Sequence, residues 1–121
     1  MQQEITLAAA GSTGNNTHTG ARVEGYETVA LAFNVTAVGA TPTVTFKFQG
    51  SHDGTNWYDV AYVTDATDTL SVATRVVTGT GQSTNFVCNP VARRYRYFRL
   101  VTTSNTNVTY NAVAYKYKAD D

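Results

Sequence analysis

Residues 43–60 read TVTFKFQGSHDGTNWYDV, and this stretch decides the fold class. Val44, Phe46 and Phe48 alternate with Thr43, Thr45, Lys47 and Gln49, so one side of an extended chain is apolar and the other polar. A period of two marks a half-buried strand. Gly50 to Asn56 are small or turn-forming residues apart from His52, and Asp53-Gly54 supplies the positive φ that a tight hairpin loop needs. The chain then returns as a second strand from Trp57, the only tryptophan. An antiparallel sheet with one wet face and one buried face follows.

Outward from this hairpin the same grammar repeats. Ile5 and Leu7 sit on one side of a short first strand. Residues 9–21, AAGSTGNNTHTGA, are small and polar, and they predict a loop or a flexible arm that orders only against a partner. Val29, Leu31, Phe33 and Val35 alternate along a strand ending near Gly39, and Ala40-Thr41-Pro42 reads as the turn into the opening hairpin. Asp65 to Asp68 form another turn. Leu70, Val72, Thr74 and Val76 trace a strand closed by Thr78-Gly79-Thr80-Gly81. Phe86 and Cys88 mark a short strand before Asn89-Pro90. RRYRYFRLVTT, residues 93–103, alternates Phe98 and Leu100 against Tyr97, Arg99 and Val101. Ser104 to Asn107 turn the chain into a last strand over 108–118. About eight strands at even spacing, with no sustained helical period, predict an all-β, single antiparallel sandwich or jelly roll. The division expected is an N-terminal strand and arm over 1–21, then the sandwich over 22–121.

Composition narrows the functions. At 121 residues the chain suffices for one core. Charged residues are only 15%, and nine basic side chains balance nine acidic ones. No general attraction to nucleic acid or to an anionic membrane is expected from that balance. The start, MQQEITLAAAGSTGNN, lacks a basic leader and a long apolar run, so no cleaved signal is expected. Cys88 is the only cysteine, which excludes an internal disulfide and a cysteine-based metal site; it reads as a small buried hydrophobe.

The inventory for catalysis is thin. His18 lies in the arm and His52 in the hairpin turn, without the ligand spacing of a zinc site. Ser51-His52-Asp53 names the members of a triad, but three consecutive turn residues do not converge in the required order. Asp53 and Asp59 flank Trp57, and a paired-carboxylate site would need both in one cleft. Asp65 and Asp68 read as turn formers rather than calcium ligands. No metal, cofactor or enzymatic activity is expected. Arg93, Arg94, Arg96 and Arg99, with Tyr95 and Tyr97, superficially form a single-strand nucleic-acid platform. Their alternation with Phe98 and Leu100 instead suits a sheet surface whose arginines pair with Glu24, Glu27 or Asp59, or a protein interface rich in Arg and Tyr.

Two resemblances attach to these residues. FQGSHDGTNWYDV and YRYFRL resemble the strand–SxDGxxW–strand signature and the later aromatic-Arg strand of discoidin-like (F5/8 type C) sandwiches. That likeness implies a glycan-binding module with Trp57, Tyr58 and Asp53 near a shallow sugar site. The same hairpin and late strand, carried by Phe48, Ser51, Asp53, Gly54, Trp57, Arg96, Tyr97, Arg99 and Leu100, also resemble small structural proteins of tailed bacteriophages, head decoration (cement) proteins above all. This second resemblance implies a homotrimer on the capsid surface of a virion, made in the host bacterial cytoplasm. Its partners would be copies of itself and the major capsid protein. A tail or baseplate accessory domain is the neighbouring reading. Trp57 is then expected to anchor the hairpin structurally. The contacts to a partner are expected from Ile5, Leu7 and His18 in the N-terminal region and from Arg93, Arg94 and Arg96 on the late strand.

Overall fold

A computed structural model of the chain describes residues 2–23, 28–60, 75–88 and 95–117. They form seven strands: β1 (Gln2–Ser12), β2 (Ala21–Arg22), β3 (Thr28–Ser51), β4 (Tyr58–Val60), β5 (Arg75–Val77), β6 (Gly81–Cys88) and β7 (Tyr97–Tyr117). All belong to one antiparallel sheet without helices among the described residues. The expected turn at Asp65–Asp68, the Asn89-Pro90 break, Glu24, Glu27, Arg93 and Arg94 lie outside the described residues.

The sheet is built on one long ribbon. β3 pairs with β7 from Thr28↔Tyr117 to Ser51↔Tyr97, with register shifts between Val38 and Thr43. The turns expected at 40–42 and 104–107 therefore do not reverse the chain. Each is a kink in a strand that continues, so two pairs of expected strands merge into β3 and β7. The residues remain turn chemistry: Thr41, Ser104 and Asn107 all take positive φ, at 44°, 51° and 54°. An odd number of extra residues on β3 across the kink resets the side-chain phase. Odd positions Val29, Leu31, Phe33 and Val35 face inward before it, and even positions Val44, Phe46 and Phe48 after it.

Each half of the ribbon gains its own edges. The first half adds β1 against β7 and β6 against β3; the second adds β2 against β7, and β4 and β5 against β3. The kink turns the two apolar faces toward each other. Phe33 of the first half stacks on Phe46 of the second, with ring centroids 4.0 Å apart and an interplanar angle of 14°. Both belong to one core cluster that also holds Leu7, Leu31, Phe48, Phe98, Leu100 and Tyr110. Burying each large apolar side chain contributes about 1.5–3 kcal/mol.

The N-terminal residues follow the same course. After β1, Asn16 and Thr102 exchange backbone hydrogen bonds (3.2 and 2.8 Å), Thr17 bridges Val101, and the His18 amide donates to the Leu100 carbonyl (3.0 Å). Ala21 and Arg22 continue beside Phe98 and Tyr97. The segment expected to order against a neighbour is held by its own chain, as an interrupted edge strand. Residues 13–20 are called the strap below.

Candidate functional site

Two clusters concentrate the chemistry the sequence singled out, one on the second half of the ribbon and one where the halves meet. The first is the hairpin between β3 and β4. Ser51, fully buried, places its hydroxyl at the hub of the turn. It donates to Asp53 Oδ1 (3.0 Å) and accepts from the Gly54 and Asp53 amides (2.8 and 3.3 Å). Asp53 Oδ1 in turn accepts from the Thr55 and Asn56 amides at 2.8 Å each, while Oδ2 takes the Asn56 side-chain amide at 2.8 Å. Those donors, the Asn56 and Thr55 amides first, hold the Asp53 carboxyl far below its ordinary range. Gly54 supplies the positive φ, 77°, and sits against the Tyr97 ring. The Ser51 hydroxyl and Asp53 carboxylate are thus spent on the turn. His52 is exposed and lies against the Tyr95 ring, 5.0 Å between centroids.

The hairpin presents Trp57 to the outer face of the sheet. The Arg99 guanidinium carbon lies 4.2 Å from its ring centroid, a cation–π contact. A side chain at Gly20 in the strap would collide with the far edge of the same indole. Trp57 is half-buried between strap and sheet. Arg99 also donates from Nε to Gln49 Oε1 (2.8 Å), and Gln49 Nε2 donates to Asp59 (2.9 Å), which meets Lys47 Nζ at 3.1 Å. The Gln49 amide is the largest cause lowering the Asp59 pKa; partial burial opposes it and Lys47 adds to it. Arg99 therefore reaches Asp59 through Gln49 rather than directly.

The second cluster ties the strap to the ribbon. Thr102 alternates in phase with Phe98 and Leu100, so its hydroxyl points inward and is buried. It donates to the Gly14 carbonyl (3.1 Å) and accepts from the Asn16 amide (3.0 Å). The Tyr110 hydroxyl lies 3.1 Å from Thr102 Oγ1, 2.8 Å from His18 Nε2 and 3.4 Å from Asn16 Nδ2. The single Thr102 proton goes to Gly14 and the Asn16 side-chain amide donates to Tyr110. The one Tyr110 proton then has two acceptors within reach, Thr102 Oγ1 and His18 Nε2, and the tautomer of His18 decides which of them receives it. Tyr110 stands in the first half of the ribbon and Thr102 in the second, so this network joins the halves at the kink. Burial lowers the pKa of His18.

The other residues expected at a partner contact are placed as follows. Leu7, 4% exposed, is a core residue, and Ile5 packs against the core's margin. Arg96 is exposed, and its backbone donates to Ser51 and accepts from Val23. Phe48 is fully buried. No group of three metal-ligating side chains occurs among the described residues, and no described helix is long and apolar enough to cross a membrane. Gly20, Gly50, Gln49 and Tyr110 were missed as partners of these clusters. Thr102 alone carried a signal, a polar residue in the apolar phase of its strand.

No family model matches the chain, and no curated protein matches it. Among solved structures it is similar to the SPBc2 prophage-derived protein YomS, with a TM-score of 0.69 at 9% identity, over 96% of this chain and 92% of that one. Weaker likenesses are to PirA, with a TM-score of 0.42 at 11% identity over 96% and 92% of the two chains, and to a chain of Bacillus endospore appendages described as disulfide-linked pili, with a TM-score of 0.43 at 14% identity over 98% and 87%. The likeness to YomS is one of fold.

Proposed function

We propose that this chain is a non-enzymatic structural protein of a tailed-phage particle, and specifically a decoration protein that binds the assembled head as an oligomer. The observation that carries the reading is the fold shared with a prophage-derived protein along nearly the whole of both chains. The hairpin and late strand that resemble phage decoration proteins support it from the sequence. Of the side chains that a catalytic or sugar-binding reading would need, Ser51, Asp53 and Trp57 are engaged within the chain, while Tyr58 is exposed. Ser51 and Asp53 close a turn, and the Trp57 ring carries Arg99. A protein that binds only the assembled shell stabilises that shell in proportion to occupancy. Several copies joined together gain further by multivalency on a repeating lattice.

The test is removal of the coding sequence from the phage genome that carries it, followed by add-back of the purified chain. The reading expects particles that lack this protein, lose DNA at a lower temperature, and regain heat resistance when the chain is added. Light scattering of the purified chain at several dilutions should give three times the chain mass. Normal heat resistance of the deleted particles with no rebinding would overturn the decoration reading. Stable heads with impaired adsorption would assign the chain to the tail instead. On the decorated head, Arg94→Ala with Arg96→Ala should weaken binding while the far-ultraviolet spectrum and melting temperature stay unchanged. Equal binding would remove the late strand from the contact.

A further inference from the structure

The strap closes over the sheet with three polar anchors, Asn16, His18 and the Gly14 carbonyl, all converging on the Thr102–Tyr110 pair. Only one of these titrates in the mildly acidic range. The His18 ring is half-buried, its Nε2 faces a phenol, and its ring stands edge-on to Tyr110 at 5.7 Å between centroids. Its contacts are therefore neutral, and no carboxylate meets it among the described residues. Asp53 is enclosed in its turn and Asp59 is held by Gln49 and Lys47. Glu4 lies opposite Tyr115, toward the start of β1. The charged groups on and beside the strands that carry the strap are Arg99 and Lys116 of β7, Arg96 just before it, and Arg22 of β2. All are cations. A proton added to His18 thus creates a charge that is partly desolvated, with no anion among the described residues to compensate it.

We infer that the strap is an acid-sensitive latch: protonation of His18 loosens residues 13–20 from β7 while the ribbon stays folded. The asymmetry between strap and ribbon makes this local. The strap is held by a few backbone bonds to Leu100 and Thr102 and by the polar anchors. Each half of the ribbon is held by continuous pairing of β3 with β7 over an apolar core. Segments with few apolar contacts open at lower free energy than core strands. Lowering of the His18 pKa by burial agrees, since the docked strap then prefers the neutral ring. Opening withdraws Gly20 from the indole of Trp57, so the only tryptophan reports it.

The experiment follows hydrogen exchange and Trp57 emission of the intact chain between pH 8 and pH 5, alongside His18→Gln. The glutamine amide keeps a donor toward Tyr110 but has no titration in this range. For the natural chain, amides of residues 16–22 should lose protection several-fold, after correction for the intrinsic pH dependence of exchange. Trp57 emission should shift to the red in step, while amides of 44–48 keep their protection. His18→Gln should show neither change. A second measurement, the His18 ring titration followed by nuclear magnetic resonance, should give the same midpoint as the Trp57 shift, and it does not depend on the variant folding. No transition in the natural chain, the same transition in His18→Gln, a ring midpoint apart from that of Trp57, or loss of protection in 44–48 together with the strap would each overturn the latch.

Discussion

Ser51 shows how one hydroxyl can define a local structure. It is fully buried, and it serves two amides and a carboxylate of the exposed turn at once. Ser51→Ala should cost about 0.5–1.5 kcal/mol, the net contribution of a typical hydrogen bond, because water reaches the exposed Asp53 and Gly54 that it leaves, read from urea unfolding. A cost near zero would mean that the turn closes through Asp53 alone. Asp53 makes a different prediction. Its carboxyl titrates lower in the folded chain than in the unfolded one, so the unfolded chain binds the proton first as pH falls. The stability it contributes is present above about pH 4 and lost progressively below, where the unfolded carboxyl titrates. Asp53→Asn should flatten that acid limb of a stability–pH curve, and an unchanged limb would assign acid sensitivity to other carboxylates. Gly50 is a third case, because a Cβ there would run into the ring of Tyr95. The turn residues Asp53 and Gly54 were legible from their types alone. The contacts of Gly20 with Trp57 and of Gly50 with Tyr95 were not, because a glycine says that space is short without saying which distant ring fills it.

At the scale of elements the kink is the feature that organises the molecule. Three chain segments bend together there: Gly14 at the start of the strap, Thr41 in β3, and Ser104 and Asn107 in β7. Asparagines knit them. The Asn105 backbone amide donates to Asn15 Oδ1 (2.8 Å) and its side-chain amide to the Gly14 carbonyl, while Asn107 Nδ2 donates to the Ala40 carbonyl (2.7 Å). Thr41 is the least suited of these residues, since a β-branched side chain at positive φ is strained. Thr41→Asn should raise stability by up to about 1 kcal/mol by relieving that strain. A loss instead would mean that the Thr41 side chain makes a contact worth more than its backbone costs. Sequence reading placed turns at 40–42 and 104–107, and the residues do have turn conformations. It could not tell a reversal from a kink. The local chemistry of Ala40-Thr41-Pro42 is the same in both, and the outcome depends on whether residues 43–51 pair with 28–38 or with a strand some fifty positions further along, as they do here.

For the whole molecule, one consequence follows from sharing. The two halves face each other across a common core, yet neither is a separate unit, because β3 and β7 run through both. Phe33 on Phe46 and the Tyr110–Thr102 contact then couple halves that are already covalently continuous. Such an arrangement should unfold in a single step. It should also fold slowly, on the order of milliseconds to seconds, since no ribbon forms until residues far apart in sequence have met. The check uses a probe in each half: Trp57 emission for the second, and exchange of amides 29–35 for the first. In urea at neutral pH both should report one midpoint and one rate. Phe33→Ala, placed in the first half, should move both probes together and by the same amount, about 3–5 kcal/mol for a buried phenylalanine. If the 29–35 amides lost protection while Trp57 emission held its native position, the halves would be distinct folding units, and the kink would be a joint between them rather than a bend within one.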